Sequence, residues 1–426
     1  MAAVRQKTKP EEPIAPTAAS ESFPKYAIVA IAPDTGNANM KVCAQVRVVE
    51  VTGSRVVSQQ NGSVQTFIVP SYVYESSTSV TCSQRPGSTA FQVVTSDAEG
   101  ESGRYWLTGE AAFGANGDDA VFVGQNASNK VNYALPTLLG NVISVVPNDV
   151  TDILVFCGVG AHKKAIGQNI GPKIKGRHVI RRLASHGSLE SFVEQCSIEV
   201  HPMLIPESLG GVLTGFQDHK ELLGDRRYLA FDLGGGTWQV LLGKQGELLG
   251  DPFEGREILR GQSGNRLIEN FARSSELESV VGSGGSMGAE SFSGVREALY
   301  NYDFNNQRVI YAGKDVTRLW KEYVESSVHR LKDAVTPYMD RFGAIDAPII
   351  GFGGTFLFPH FREAASMVFS YGIGDDATIQ SRLLVSSNPL FANAISNLDT
   401  TAEEFATDIE VATQEFEASL RKVLGK

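Results

Sequence analysis

Residues 228–242 read Tyr228-Leu-Ala-Phe-Asp232-Leu-Gly234-Gly235-Gly236-Thr237-Trp-Gln-Val-Leu-Leu242. An apolar run forms a short buried strand, an Asp and three glycines make a tight turn, and a second apolar run carries the chain back, with Gly246 turning it again. The same design stands much earlier in the chain. Tyr26-Ala-Ile-Val-Ala-Ile31 is an unbroken apolar strand, Pro33 to Gly36 stop it, and Val42 to Val51 return in alternation. One Asp-x-Gly hairpin is an ordinary turn, because Asp and Gly are favoured there for local reasons. Two in matched settings predict an internal duplication, and so two similar lobes.

The intervening sequence fits that plan. Lys130 to Val146 is apolar and helix-like, and Asp152-Ile-Leu-Val-Phe156 reads as a strand. Gln262 to Ala272 and Val316 to Phe342 have helical spacing, whereas the Ser/Gly-rich run Ser274 to Gly294 reads as a flexible surface excursion. Ala347-Pro-Ile-Ile350 is a third short strand, running into Gly351-Phe-Gly353-Gly354-Thr355. Strands alternating with helices indicate an α/β fold, and 426 residues suit two lobes better than one. Residues 1–22 have no hydrophobic period and read as a disordered tail. At the other end, Thr401-Ala-Glu-Glu404 has capping-box form and precedes Phe405, Ile409, Ala412, Phe416, Leu420 and Val423 at helical spacing. That helix either packs on its own body or serves a partner or neighbouring subunit.

Composition narrows the function. The four cysteines are scattered without a C-x-x-C pair, so packed reduced thiols are expected, and the seven histidines form no H-E-x-x-H pair. No apolar run is long enough to span a membrane and the N-terminus has no signal-peptide core, which points to the cytoplasm. A formal charge of −10 disfavours direct binding to nucleic acid, so any action on DNA calls for a basic adaptor. The basic cluster Lys173, Lys175, Arg177, Arg181 and Arg182 reads as a solvated face, or else as a filament or adaptor contact.

The two hairpins supply what a nucleoside triphosphate needs. Gly36 and Gly234 to Gly236 let backbone N–H groups approach phosphates from opposite lobes. Asp34 and Asp232 each end a buried strand, placed to hold Mg²⁺ through water. Asn37 and Asn39 offer side-chain donors, Thr237 a hydroxyl, and Lys41 a cation for the β- or γ-phosphate. Gly351, Gly353, Gly354 and Thr355 form a third turn that lets backbone lie flat against a base or ribose.

These motifs, in this order, resemble the phosphate-1, phosphate-2 and adenosine motifs of the actin/Hsp70/sugar-kinase superfamily. Asp34-x-Gly36-x-x-Asn39-x-Lys41, Ile205-Pro-Glu-Ser208 and Asn388-Pro-Leu-Phe-Ala-Asn-Ala394 look most like segments of the ParM/StbA plasmid-segregation actins. The resemblance implies an actin-like two-lobed α/β fold, built from duplicated ribonuclease-H-like subdomains around a nucleotide cleft. It divides the chain into lobe I (23–206, with a peripheral insertion at about 52–147), lobe II (207–385), a helix returning to lobe I (386–398) and a terminal helix (399–426). It implies ATP or GTP with Mg²⁺, hydrolysis with Glu207 orienting the attacking water beside Asp232, polar filaments favoured by ATP, and a DNA-binding adaptor of the ParR type. Spacing alone leaves Glu207 open as a surface loop acid. The long insertion departs from the smallest segregation actins, so filament geometry does not carry over.

Other signals are weaker. Gly284-Gly-Ser-Met-Gly288 matches G-x-S-x-G but sits in low-complexity sequence without the strand and helix a hydrolase elbow needs. No G-x-x-x-x-G-K-[ST] loop occurs. Two alternatives on the same fold stay open: a small-molecule kinase, for which no acceptor-site base is evident, and an Hsp70-like regulatory ATPase, for which no substrate domain follows the adenosine motif.

Overall fold

The computed structural model describes residues 23–425 except 36–38, 61–62, 86, 116–118, 186–194, 252, 254–255, 260–261, 283–288, 303–306 and 371–381. The tail 1–22, Gly36, Asn37 and the elbow at 284–288 lie outside the described residues.

Tyr26–Thr35 and Asn39–Thr52 form the first hairpin, with Asp34 opposite Lys41. Arg55–Gln60 edges it on one side. On the other side Asp152–Ala161 and then Gln195–Pro206 run parallel to the first strand. The second sheet repeats this order. Arg227–Leu233 pairs antiparallel with Trp238–Lys244, Arg256–Leu259 edges that hairpin, and Ile349–Phe352 and Leu383–Val385 run parallel beyond.

The unbroken apolar runs follow from this topology. A strand covered on both faces must be apolar at every position, not at alternate ones. Ala27, Val29 and Ile31 enter the large core of the first lobe, whereas Ile28 and Ala30 face helices on the opposite side. Likewise Leu229, Phe231 and Leu233 enter one core, and Tyr228 and Ala230 another.

Two helices tie the sheets together. Leu209–Asp218 leaves the end of Gln195–Pro206 and lies so close on the second sheet that a Cβ at Gly211 would run into the Phe352 ring. Ala392–Glu404 covers the first sheet, with Ala394 and Leu398 over Ala30, Ala32 and Cys43. The Asn393 side chain joins the two helices by accepting from the Gly211 amide at 2.7 Å.

The terminal helix, Ala406–Val423, docks on its own body. Phe405, Ile409 and Phe416 pack with Ile28 and Phe156, and Phe416 stacks on Tyr26 at 4.5 Å. It does not begin with a capping box at Thr401. Thr401 is buried inside the preceding helix, and its hydroxyl donates to the Asn397 carbonyl at 2.7 Å, so it has no free amide to cap. The run 274–294 also departs from expectation, since it contains the helix Ser275–Val281 and most of the first turns of Ala289–Tyr300. Ser274 caps the former by accepting from the Leu277 amide, and Leu277 is fully buried.

The insertion extends the first sheet. Gly176–Arg182 pairs with Gln195–Pro206, and Ser88–Ser96, Tyr105–Gly109 and Tyr72–Ser76 follow in turn. Gln65–Pro70 instead pairs with Asn39–Ala44 at the far end, and only Ser71 separates it from Tyr72–Ser76. The sheet therefore curls until its two ends meet, around a helix, Ala134–Val145, buried on nearly every side. Gly176–Arg182 sits within this sheet and Arg182 is buried against Asn148, so the five clustered cations do not share one solvated face. Among the described residues no helix is long and apolar enough to cross a membrane.

Candidate functional site

The turn ends of the two Asp-x-Gly hairpins line one cavity of about 510 Å³ between the sheets. Asp34, Asn39 and Lys41 come from the first hairpin, Asp232, Gly234, Gly235, Gly236 and Thr237 from the second, and Gly353, Gly354 and Thr355 from the third glycine turn. Glu207 lines the same cavity from the end of Gln195–Pro206, so it is not a surface loop acid. Gly351 does not line it. That glycine lies inside a strand, where the Phe356 ring occupies the space a Cβ would need.

The floor is a cluster of charges. Lys41 Nζ lies 3.2 Å from Asp34 Oδ2. Burial works against the Lys41 charge, but Asp34, Asp232 and Glu207 outweigh it and hold the ammonium above its ordinary value. Asp232 is buried, and burial pushes its carboxyl up to about 6, with the Glu207 and Asp34 charges adding to the effect. Two donors oppose the shift: Ser208 Oγ at 2.6 Å and Asn393 Nδ2 at 3.1 Å, both to Asp232 Oδ2. Ser208 reaches Asp232 by adopting a left-handed backbone at φ 72°, uncommon for a residue with a Cβ.

Backbone contacts pin the turns. The carbonyls of Gly234 and Gly235 accept from the amides of Gly264 and Asn265 at 2.9 and 3.0 Å, which locks the second hairpin to the helix Gly264–Ala272. Gly353, at φ 99° and ψ 160°, lies against the Leu233 carbonyl in a conformation closed to other residues. The lining also includes the apolar and aromatic side chains of Ile268, Tyr300, Phe358 and Leu390, with Arg296 over the Tyr300 ring at 5.6 Å.

Several lining residues carry no motif. His162 and Lys163 follow the strand Asp152–Ala161, and Gln125 and Lys130 come from the insertion. Asn393 falls in the Asn388–Ala394 segment, but its bond to Asp232 spans too much chain for spacing to reveal.

The donor set suits a divalent cation. Three carboxylates surround one lysine, and hard oxygen ligands in surplus negative charge are what Mg²⁺ takes. Among the described residues no group of three or more His, Cys, Asp or Glu is placed to hold a metal ion by itself.

Two copies of one five-strand unit, joined by crossing helices and facing a shared cleft, make this an actin-type fold. Solved structures share it. The actin-like protein Alp7A aligns with TM-score 0.60 and 16% identity over 91% of this chain and 99% of its own. Ta0583, an archaeal actin homologue, gives 0.57 and 16% over 89% and 99%. Bacillus thuringiensis ParM with ATP gives 0.56 and 15% over 88% and 99%. No protein-family model matches the sequence, and no curated protein matches it.

Proposed function

We propose that the cleft binds a nucleoside triphosphate with Mg²⁺, ATP in the first instance, hydrolyses it, and couples that cycle to self-assembly of the chain into filaments. The observation that carries this reading is the convergence of Asp34, Glu207 and Asp232 on Lys41 where the two glycine hairpins face each other. The likeness to a ParM solved with ATP supports the same ligand.

Each residue has a stated task. Gly234 to Gly236 and Thr237 receive phosphate from lobe II, while Asn39 and Lys41 receive it from lobe I. Asp34 and Asp232 hold hydrated Mg²⁺, which when bound neutralises phosphate charge. Ser208 and Asn393 keep the Asp232 carboxylate aimed by donating to one of its oxygens. Glu207 orients the attacking water. Gly353 and Gly354 admit the nucleoside against bare backbone. Assembly follows from the resemblance to plasmid-segregation actins, as do roles in DNA partition through a basic adaptor or as a bacterial cytoskeletal scaffold; the net charge of −10 fits an adaptor better than direct DNA contact.

The test is Mg-ATP added to purified protein, with 90° light scattering and phosphate release followed together. Scattering should rise above a critical concentration and decay as nucleotide is consumed. Glu207→Ala should bind nucleotide yet lose about 10²–10⁴-fold in hydrolysis, so that its filaments persist. Hydrolysis by Glu207→Ala at the wild-type rate would remove Glu207 from this role. Turnover without scattering, accelerated by a small acceptor, would make the chain a kinase instead.

A further inference from the structure

We propose that His162 and Glu207 form a catalytic dyad in which His162 Nε2 accepts the proton of the attacking water while Glu207 fixes the imidazole. The inference rests on the hydrolytic reading above and deepens it: Glu207 acts on the attacking water through His162.

The pair is built by strand register. Asp152–Ala161 and Gln195–Pro206 run parallel to their last residues, with Ala161 opposite Pro206. The Glu207 amide extends the ladder by donating to the Ala161 carbonyl at 2.9 Å. The next side chains, His162 and Glu207, therefore emerge together at the cleft wall, with Nδ1 3.4 Å from Oε2. Both line the cavity, and both side chains keep contact with it, at 26% and 21% exposure.

A carboxylate beside Nδ1 favours the tautomer with hydrogen there, which leaves the lone pair on Nε2. Among the described residues no hydrogen bond engages His162 Nε2. Two other histidines differ. His178 has both nitrogens engaged, by Ser96 and by the Ile174 carbonyl, and His219 Nε2 is held by the Val385 carbonyl. His201 makes a similar ion-pair contact with Glu199 at 3.1 Å, but on the surface outside the cavity.

In the step, a bond forms between the water oxygen and the γ-phosphorus as the bond to the β-phosphate oxygen breaks. That electron pair leaves on the nucleoside diphosphate, and the water proton passes to Nε2. Glu207 balances the resulting imidazolium, and loss of the proton to solvent restores the ring. The other charges around the cavity are Lys41, Lys130, Lys163 and Arg296 as cations and Asp34 and Asp232 as anions.

The experiment measures kcat against pH, with nucleotide Kd, for wild type, His162→Gln, His162→Asn, Glu207→Ala and His201→Gln. His162→Gln should lose about 10²-fold or more in kcat with Kd within a few-fold. Wild type should show an acid limb in kcat, and both His162 variants should keep only the part that Asp232 contributes. His201→Gln should match wild type throughout. A His162 variant that keeps the wild-type rate and acid limb, while Glu207→Ala is inactive, overturns the dyad and leaves the hydrolytic reading standing. A wild-type profile with no acid limb overturns it without reference to any variant. A wild-type chain that turns over no nucleotide overturns both readings.

Discussion

Gly353→Ala tests whether the third glycine turn holds the two cleft-forming strands in place. Gly353 donates its amide to the Pro389 carbonyl at 2.8 Å, at φ 99° and ψ 160°. A residue with a Cβ adopts such a conformation at a cost of about 1–3 kcal/mol. The new Cβ would also stand 2.5 Å from the Leu233 carbonyl oxygen and 3.0 Å from Asp232 Oδ1. The first of these is main chain in a buried strand and cannot rotate away, so overpacking adds about 1–3 kcal/mol. Together the two effects predict a loss of at least about 2 kcal/mol, seen as a lower denaturant midpoint, and weakened nucleotide binding because Asp232 is displaced. Gly354→Ala is the matched control. Its nearest neighbour would be Leu390 Cδ1 at 3.5 Å, ordinary van der Waals contact, so its stability should stay within about 0.5 kcal/mol of wild type. Equal midpoints for the two variants would refute the reasoning.

Two further outcomes follow from buried groups. Burial holds the His178 imidazole below its ordinary value, outweighing the Ile174 carbonyl bond and Asp97. The unfolded chain takes up that proton near about pH 6.5 and the folded chain does not, so stability is intact above that pH and declines below it. His178→Gln should therefore show a shallower fall in denaturation midpoint between about pH 7 and about pH 5; an unchanged slope would exclude His178 as a source. Separately, a double-mutant cycle of Tyr26→Ala and Phe416→Ala should return a coupling of about 0.5–1.5 kcal/mol by chemical denaturation. A coupling of zero would mean that the stacked rings do not anchor the terminal helix.

The hairpins were the most legible part of the chain, for a physical reason. A strand covered on both faces has to be apolar throughout, and Tyr26 to Ile31 and Tyr228 to Phe231 carry that signature beside an Asp and glycines. The insertion was far less legible, because strands such as Ser88–Ser96 are rich in Ser and Thr and owe their place to pairing partners distant in sequence. Thr401 looked like a cap because local pattern cannot show that its side chain is buried against Gly158. In the cleft, residues within glycine turns were readable one by one. Gly351 was grouped with its neighbours although packing against Phe356 explains it, and His162 was invisible because its meaning depends on strand register with Glu207.

The return of Ala392–Glu404 and the terminal helix to the first sheet bears on how the chain is made. Ile28, Ala30, Cys43 and Phe156 are synthesised before the second lobe, yet their covers, Ala394, Leu398, Ala412 and Phe416, are synthesised after it. The opening sheet must wait with one apolar face bare while the second lobe is synthesised, a state prone to non-native association. A nascent chain stalled or cut before Ala392 would keep that face open permanently, so synthesis of the two covering helices is itself a condition for solubility of the first sheet.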